Sequence, residues 1–210
     1  MIFNKIVSLQ TAEYLLGIKA VKLSPKDLFT WASGIKSPIY CDNRVTLSYP
    51  AIRTFIKENF IEAIAENFEK PDLIAGVATG GIPQGAIIAE ELGLPFVYVR
   101  TSKKDHGLTN LIEGRVEEGQ KVVVVEDLIS TGSSSLEAVR ALREAGCIVV
   151  GMVAVFTYGL PIAVAKFEID KVNLVTLTDY EVLIEKALKI SYITEEDVAV
   201  LRAFKDSLSN

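Results

Sequence analysis

The sequence predicts an α/β fold whose core is a mainly parallel sheet covered by helices on both faces. Three observations predict it. Short, unbroken apolar runs alternate with helical patterns from Asp72 onward, as expected of strands buried on both sides. A glycine-rich turn, Gly76 to Gly85 (GVATGGIPQG), follows the first of those runs. Further on, four consecutive valines run into two carboxylates and then a loop of small hydroxyl residues, VVVVEDLISTGSSS from Val122 to Ser135.

Taken in chain order, Ser48 and Pro50 open a segment in which Ile52, Phe55, Ile56, Phe60, Ile61 and Ile64 recur at steps of three and four, the spacing of one buried helix face. Strand and helix then alternate: Leu73 to Ala78, the glycine turn, Gln84 to Leu92, Pro95 to Arg100, Val122 to Val125, Leu136 to Ala145 and Ile148 to Phe156. Thr194 with Asp197 three residues later resembles a capping box that starts a last helix through about Leu208. Two segments break the alternation. Phe29 to Arg44 (FTWASGIKSPIYCDNR) mixes aromatic, basic and turn residues ahead of the core, and Thr101 to Gly114 is a long polar connection of the kind that often carries function.

With 210 residues, half of them hydrophobic, the chain suits a single domain with a substantial core. A net charge of -5 opposes a general nucleic-acid surface, which needs a basic patch or stripe. Cys41 and Cys147 fit neither a zinc spacing nor a disulfide framework and read as free thiols of a cytoplasmic protein. Met1 to Ala20 carries Lys5, Glu13 and Lys19 and lacks the apolar centre of a signal peptide. The uncharged stretch Ala145 to Ala165 is long enough to cross a membrane. Its valines followed by Tyr158, Gly159 and Pro161 suit a buried strand and a turn instead, so no membrane is expected.

The chemistry concentrates at VVVVEDLISTGSSS. Ligands of open parallel sheets bind at the carboxyl edge of the strands. There Gly132 permits a tight turn, and the N–H groups of the loop and the helix start can surround a phosphate together with the Ser and Thr hydroxyls. Glu126 and Asp127 would repel that phosphate; sugar hydroxyls or a hydrated Mg²⁺ are their natural partners. An acidic pair before Ser, Thr and Gly is also an ordinary way to end a strand and cap a helix. The full pattern is more specific: it resembles the phosphoribosyl pyrophosphate (PRPP) signature of the type I phosphoribosyltransferases. The chain has neither a G-x-x-x-x-G-K-S/T phosphate loop nor a G-x-G-x-x-G fingerprint.

That resemblance implies a type I phosphoribosyltransferase fold, with a five-stranded, mainly parallel sheet and a hood from the N-terminal region. It implies that Glu126 and Asp127 hold the ribose hydroxyls, that Ser130, Thr131, Gly132, Ser133 and Ser134 bind the 5-phosphate, and that Leu128 and Ile129 between them also belong to the PRPP-binding segment. The glycines of Gly76 to Gly85 take the place of the family's pyrophosphate loop. Tyr98 to Gly107 (YVRTSKKDHG) is similar to the catalytic loop of orotate phosphoribosyltransferases, whose Arg, Lys and His map onto Arg100, Lys104 and His106. FTWASGIKSPIYCDNR resembles the hood of that family, in the form found in many Gram-positive bacteria, and the likeness runs from about Leu23 to Tyr158.

The resemblance makes PRPP and orotate the expected substrates, with Mg²⁺ carried by PRPP rather than held by the protein directly. Ser130 is the orotate-contacting hydroxyl, and Asp127, Lys104 and His106 are the catalytic candidates. It also implies a homodimer whose loop, Thr101 to Thr109, serves the neighbouring subunit's site. The expected domain plan is one unit, with 1–68 including the hood, 69–180 the PRPP-binding core and 181–210 the C-terminal helices. The sequence departs from the enterobacterial form at Ala32, Gly80 and Thr101, and near Tyr158, where basic residues stand in that form. Lys36 and Arg44 remain as candidates for the orotate carboxylate. Two rival readings are another base specificity and a non-enzymatic PRPP sensor.

Overall fold

A computed structural model describes residues 1–30, 34–100 and 111–208. Helix α1 (Lys5–Gly17) is capped by Asn4, whose side chain accepts from the Ile6 and Val7 amides. Strands β1 (Val21–Leu23) and β4 (Ile39–Cys41) pair antiparallel, as do β2 (Phe29–Thr30) and β3 (Lys36–Ser37). These two small ladders form where the hood was expected. A 3₁₀ turn (Asn43–Ser48) leads into α2 (Pro50–Asn67), which starts on proline and buries the periodic face Ile52, Ile56, Phe60 and Ile64.

The core follows as β5 (Leu73–Val77), α3 (Gly81–Leu92), β6 (Phe96–Val99), β7 (Ile112–Glu113), β8 (Lys121–Ile129), α4 (Ser133–Glu144), β9 (Ile148–Thr157), α5 (Pro161–Ile169) and β10 (Leu174–Asp179). Helices α6 (Tyr180–Lys189) and α7 (Glu195–Ser207) close the chain, and α7 begins with both halves of the Thr194–Asp197 capping box in place. Five strands are parallel in the order β10-β9-β8-β5-β6; the short β7 adds an antiparallel sixth beside β6. The sixth strand pairs Val99 with Ile112 and Tyr98 with Glu113, so it pins together the two ends of the polar connection.

Val122 to Val125 have no exposed surface and β5 is buried throughout, which requires cover on both faces. Right-handed crossovers supply it. The chain winds one way from β5 through α3 to β6, and the other way from β8 through α4 to β9, so α3 and α4 lie on opposite faces. The stretch tested as a membrane span is strand β9, a turn and α5. Among the described residues no helix is long and apolar enough to cross a membrane.

Candidate active site

The winding direction changes between β5 and β8, and the carboxyl ends of these two strands form the crevice where such sheets bind ligands. Strand β8 runs further than the valines suggest, through both carboxylates to Ile129. Glu126 and Asp127 are neighbours on a strand, so their side chains point to opposite faces and meet different surroundings.

Glu126 is only 5% exposed. Its Oε1 accepts from the Asp127 amide at 3.0 Å and its Oε2 from the Ser135 hydroxyl at 2.8 Å. Burial, reinforced by the adjacent Asp127 charge, holds its carboxyl well above the usual range. Of the two acids expected at the sugar, Asp127, half-buried, is the more open carboxylate, while Glu126 also braces the strand end and the first turn of α4. Across the crevice, the Asp127 carboxylate lies against Gly80, in the space that a Cβ there would take.

Beyond β8, Ser130 is half-buried, while Thr131, Ser133 and Ser134 are exposed. Gly132 takes φ of +73°, a conformation that favours glycine, and a Cβ there would come within 2.7 Å of the Phe167 ring. No side chain caps α4, so its first N–H groups open on the loop, the arrangement that binds anions. The Thr131 and Ser133 hydroxyls lie 3.3 Å apart on that side, and the Lys166 ammonium reaches Ser133 at 2.8 Å. Leu128 and Ile129, expected in the PRPP-binding segment, are the last two residues of the strand. Leu128 pairs with Phe156, while Ile129 pairs with Thr157, is fully buried and gives its carbonyl to the Tyr158 amide at 3.0 Å.

On the opposite side, Asn43 is buried beneath the site, where its amide donates to the Asp127 carbonyl at 2.6 Å and accepts from the Cys41 thiol at 3.4 Å. Burial and the nearby Asp127 and Asp42 push that thiol far up, which makes it a structural group and no nucleophile. Thr46 ties the Asn43 carbonyl at 2.6 Å to the Gln84 amide at 3.3 Å, joining the N-terminal region to α3. Tyr158 is 2% exposed and packs edge-on against Phe156. Arg44 is held by both oxygens of Asp42 at 2.7 and 3.0 Å, and Lys36 donates to Thr30 at 2.7 Å. Arg100 lies at the pinned loop base, its amide bonded to Leu111 at 2.9 Å and its guanidinium 3.6 Å from Glu113. Lys104 and His106, with Ala32 and Thr101, lie outside the described residues.

The chain matches the phosphoribosyl transferase domain family over residues 47–178. It is 64% identical over 190 residues to a Phocaeicola vulgatus protein named orotate phosphoribosyltransferase, covering 90% of each chain. The chain belongs to the orotate phosphoribosyltransferase family. A relative of that name from Listeria innocua is 57% identical over 196 residues, covering 93% of this chain and 94% of its own. The crystal structure of the orotate phosphoribosyltransferase from Aeropyrum pernix superposes with a TM-score of 0.75 at 28% identity, covering 87% of this chain and 99% of that one.

Asn43, Ser135 and Lys166 were not singled out by sequence in this orotate phosphoribosyltransferase family member. Asn43 and Ser135 lie inside quoted motifs, but no spacing rule links Asn43 to a strand 84 residues away. Lys166 stands on a helix that buries Ala163 and Phe167 and lies outside every quoted motif.

Proposed function

We propose that this chain transfers the ribose 5-phosphate of PRPP to orotate, giving orotidine 5-monophosphate and pyrophosphate in de novo UMP biosynthesis. The observation that carries the reading is the pairing, at the switch point of the sheet, of one open carboxylate with an uncapped helix start lined by hydroxyls. These two parts match the two ends of a ribose 5-phosphate, hydroxyls and phosphate.

In this reading the loop Ser130 to Ser134 takes the 5-phosphate and Asp127 accepts from the ribose hydroxyls, which fixes C1 in line between base and leaving group. Orotate N1 loses its proton, which leaves with pyrophosphate or to solvent, and supplies the electron pair for the new bond to C1 as the bond to pyrophosphate breaks, the pair in that bond leaving with pyrophosphate. Charge separates at the transition state, so fixed dipoles and cations around it lower the barrier. Arg100, Lys104 and His106 are assigned to the departing pyrophosphate, with His106 as proton donor, and Ser130 to orotate. Asp127 suits a hydrated cation brought in on the substrate, since it is the only member of the acidic pair open to the crevice. When bound, Mg²⁺ neutralises pyrophosphate charge.

The remaining parts of the reading are a single cytoplasmic domain, with 1–68 including the hood, 69–180 the core and 181–210 the terminal helices, and a homodimer with the loop acting in trans. The test incubates the protein with PRPP and Mg²⁺ and follows depletion of orotate, uracil, hypoxanthine and adenine in parallel. Orotate alone should disappear; consumption of another base in its place would overturn the substrate assignment.

A further inference from the structure

The 5-phosphate cradle has a cation that its own sequence motif does not contain. Ser130 to Ser134 carry hydroxyls and amides only. A phosphate there would be held by neutral dipoles close to the charges of Asp127 and Glu126. Helix α5 alters that balance. Its residues Ala163, Lys166 and Phe167 and its C-cap Asp170 stand at the three- and four-residue spacing that shares a helix face. That face is fastened to the cradle and to α4 at three places. Phe167 packs on Gly132, Asp170 pairs with Arg140 at 2.6 Å, and Arg143 donates to the carbonyls of Asp170 at 2.7 Å and Lys171 at 3.3 Å. The fastening brings the Lys166 ammonium to the Ser133 hydroxyl at 2.8 Å, and no carboxylate among the described residues forms an ion pair with it.

We infer that Lys166 is a binding residue for the 5-phosphate of PRPP and of the nucleotide product. The inference rests on the cradle reading above. An ammonium carries three donors and Ser133 uses one, so two remain for phosphate oxygens. Ser133 already holds the ammonium in place before ligand arrives, which limits the side-chain entropy lost on binding. Because the 5-phosphate takes no part in bond breaking, this contact is the same in ground and transition states. It strengthens substrate binding without accelerating the chemical step.

The experiment titrates ribose 5-phosphate into the wild type and into Lys166→Met, Lys166→Gln and Lys166→Arg, and measures steady-state kinetics beside it. Both neutral variants should bind ribose 5-phosphate and PRPP about tenfold more weakly, the scale of one charge-assisted hydrogen bond. Their kcat and their KM for orotate should stay close to wild type, and Lys166→Arg should recover most of the affinity. Unchanged ribose 5-phosphate affinity in either neutral variant, with wild-type melting behaviour, would overturn the role of Lys166. A fall in kcat with no change in KM would overturn it as well. A crystal soaked with ribose 5-phosphate separates this failure from that of the cradle itself. Phosphate at Ser130 to Ser134 with no effect of Lys166 refutes only the lysine, whereas phosphate elsewhere refutes the cradle and the lysine together.

Discussion

On the phosphate side of the crevice, strand, loop and helix start come from one unbroken stretch, Lys121 to Glu144, so geometry follows from local rules. On the other side, Cys41 comes from β4, Asn43 and Thr46 from the 3₁₀ turn, Gln84 from α3 and Tyr158 from the residue after β9, and only tertiary packing links them to one another and to β8. A site made of contiguous chain is a property of a motif, while one made of dispersed side chains is a property of the whole fold. Asp127 belongs to both, with its carboxylate open to the crevice and its carbonyl held by Asn43.

The strongest way to break the comparison is therefore Asp127→Asn. It keeps shape and the carbonyl contact but removes the charge that accepts sugar hydroxyls. We expect kcat/KM for PRPP to fall about 100-fold or more with little change in melting temperature, the loss typical of one preorganised polar contact at a reacting centre. Steady-state kinetics beside a thermal melt check this, and an unchanged kcat/KM would remove Asp127 from the site.

The loop bearing Lys104, proposed as a third contributor, is tested by subunit mixing. Lys104→Ala and Asp127→Asn are each expected to be inactive alone. In a purified heterodimer with the loop in trans, one site collects both defects and the other has neither, so roughly half of wild-type activity should return on site counting. A heterodimer as inactive as its parents, both folded and dimeric, would exclude the trans arrangement.

Much of the phosphate side was legible beforehand. VVVVEDLISTGSSS announced a buried strand, a turn at Gly132 and a helix start, and the strand, the turn and a helix start without a side-chain cap are present. The pattern did not reveal where the strand stopped, since Leu128 and Ile129 were assigned to binding but continue the ladder beside Phe156 and Thr157. Nor did it separate the two acids. Whether a carboxylate is open or buried depends on which sheet face is covered, and α4 covers Glu126 through Ser135. The side built on the N-terminal region was least legible. Lys36 and Arg44 stood out as charges, yet both are engaged locally, with Thr30 and Asp42. The uncharged Asn43 makes the long-range contact.

Asn43→Ala sharpens the difference between the two sides. It leaves the buried Asp127 carbonyl and the Cys41 thiol without their partner, at a cost of about 1–3 kcal/mol. In a chain of this length that lowers the melting temperature by about 2–4 °C per kcal/mol. The phosphate cradle does not touch Asn43, so ribose 5-phosphate affinity should change less than twofold, about 0.4 kcal/mol on the binding scale. A large loss of that affinity would show that the two sides are one cooperative unit.

The smallest effect is expected from Glu126→Gln, read as stability against pH without ligand. Burial raises the Glu126 carboxyl in the folded chain above its value in the unfolded chain. Below the unfolded value the group is protonated in both states, and its neutral, hydrogen-bonded form contributes its full stability. As pH rises from the unfolded value to the raised folded one, the unfolded chain releases its proton first, so stability is lost across that window. Above it, the folded protein carries a buried charge beside Asp127, offset in part by the Ser135 hydroxyl and the Asp127 amide. Glutamine keeps the shape, still accepts from the Asp127 amide and can donate to Ser135, but it does not titrate. The variant should thus melt a few degrees higher than wild type at neutral pH, about 1 kcal/mol in a chain of this length, and the difference should shrink as the pH drops to the unfolded carboxyl range. A constant difference across that range would mean that Glu126 acts through packing alone, with its charge contributing nothing to the balance at the strand end.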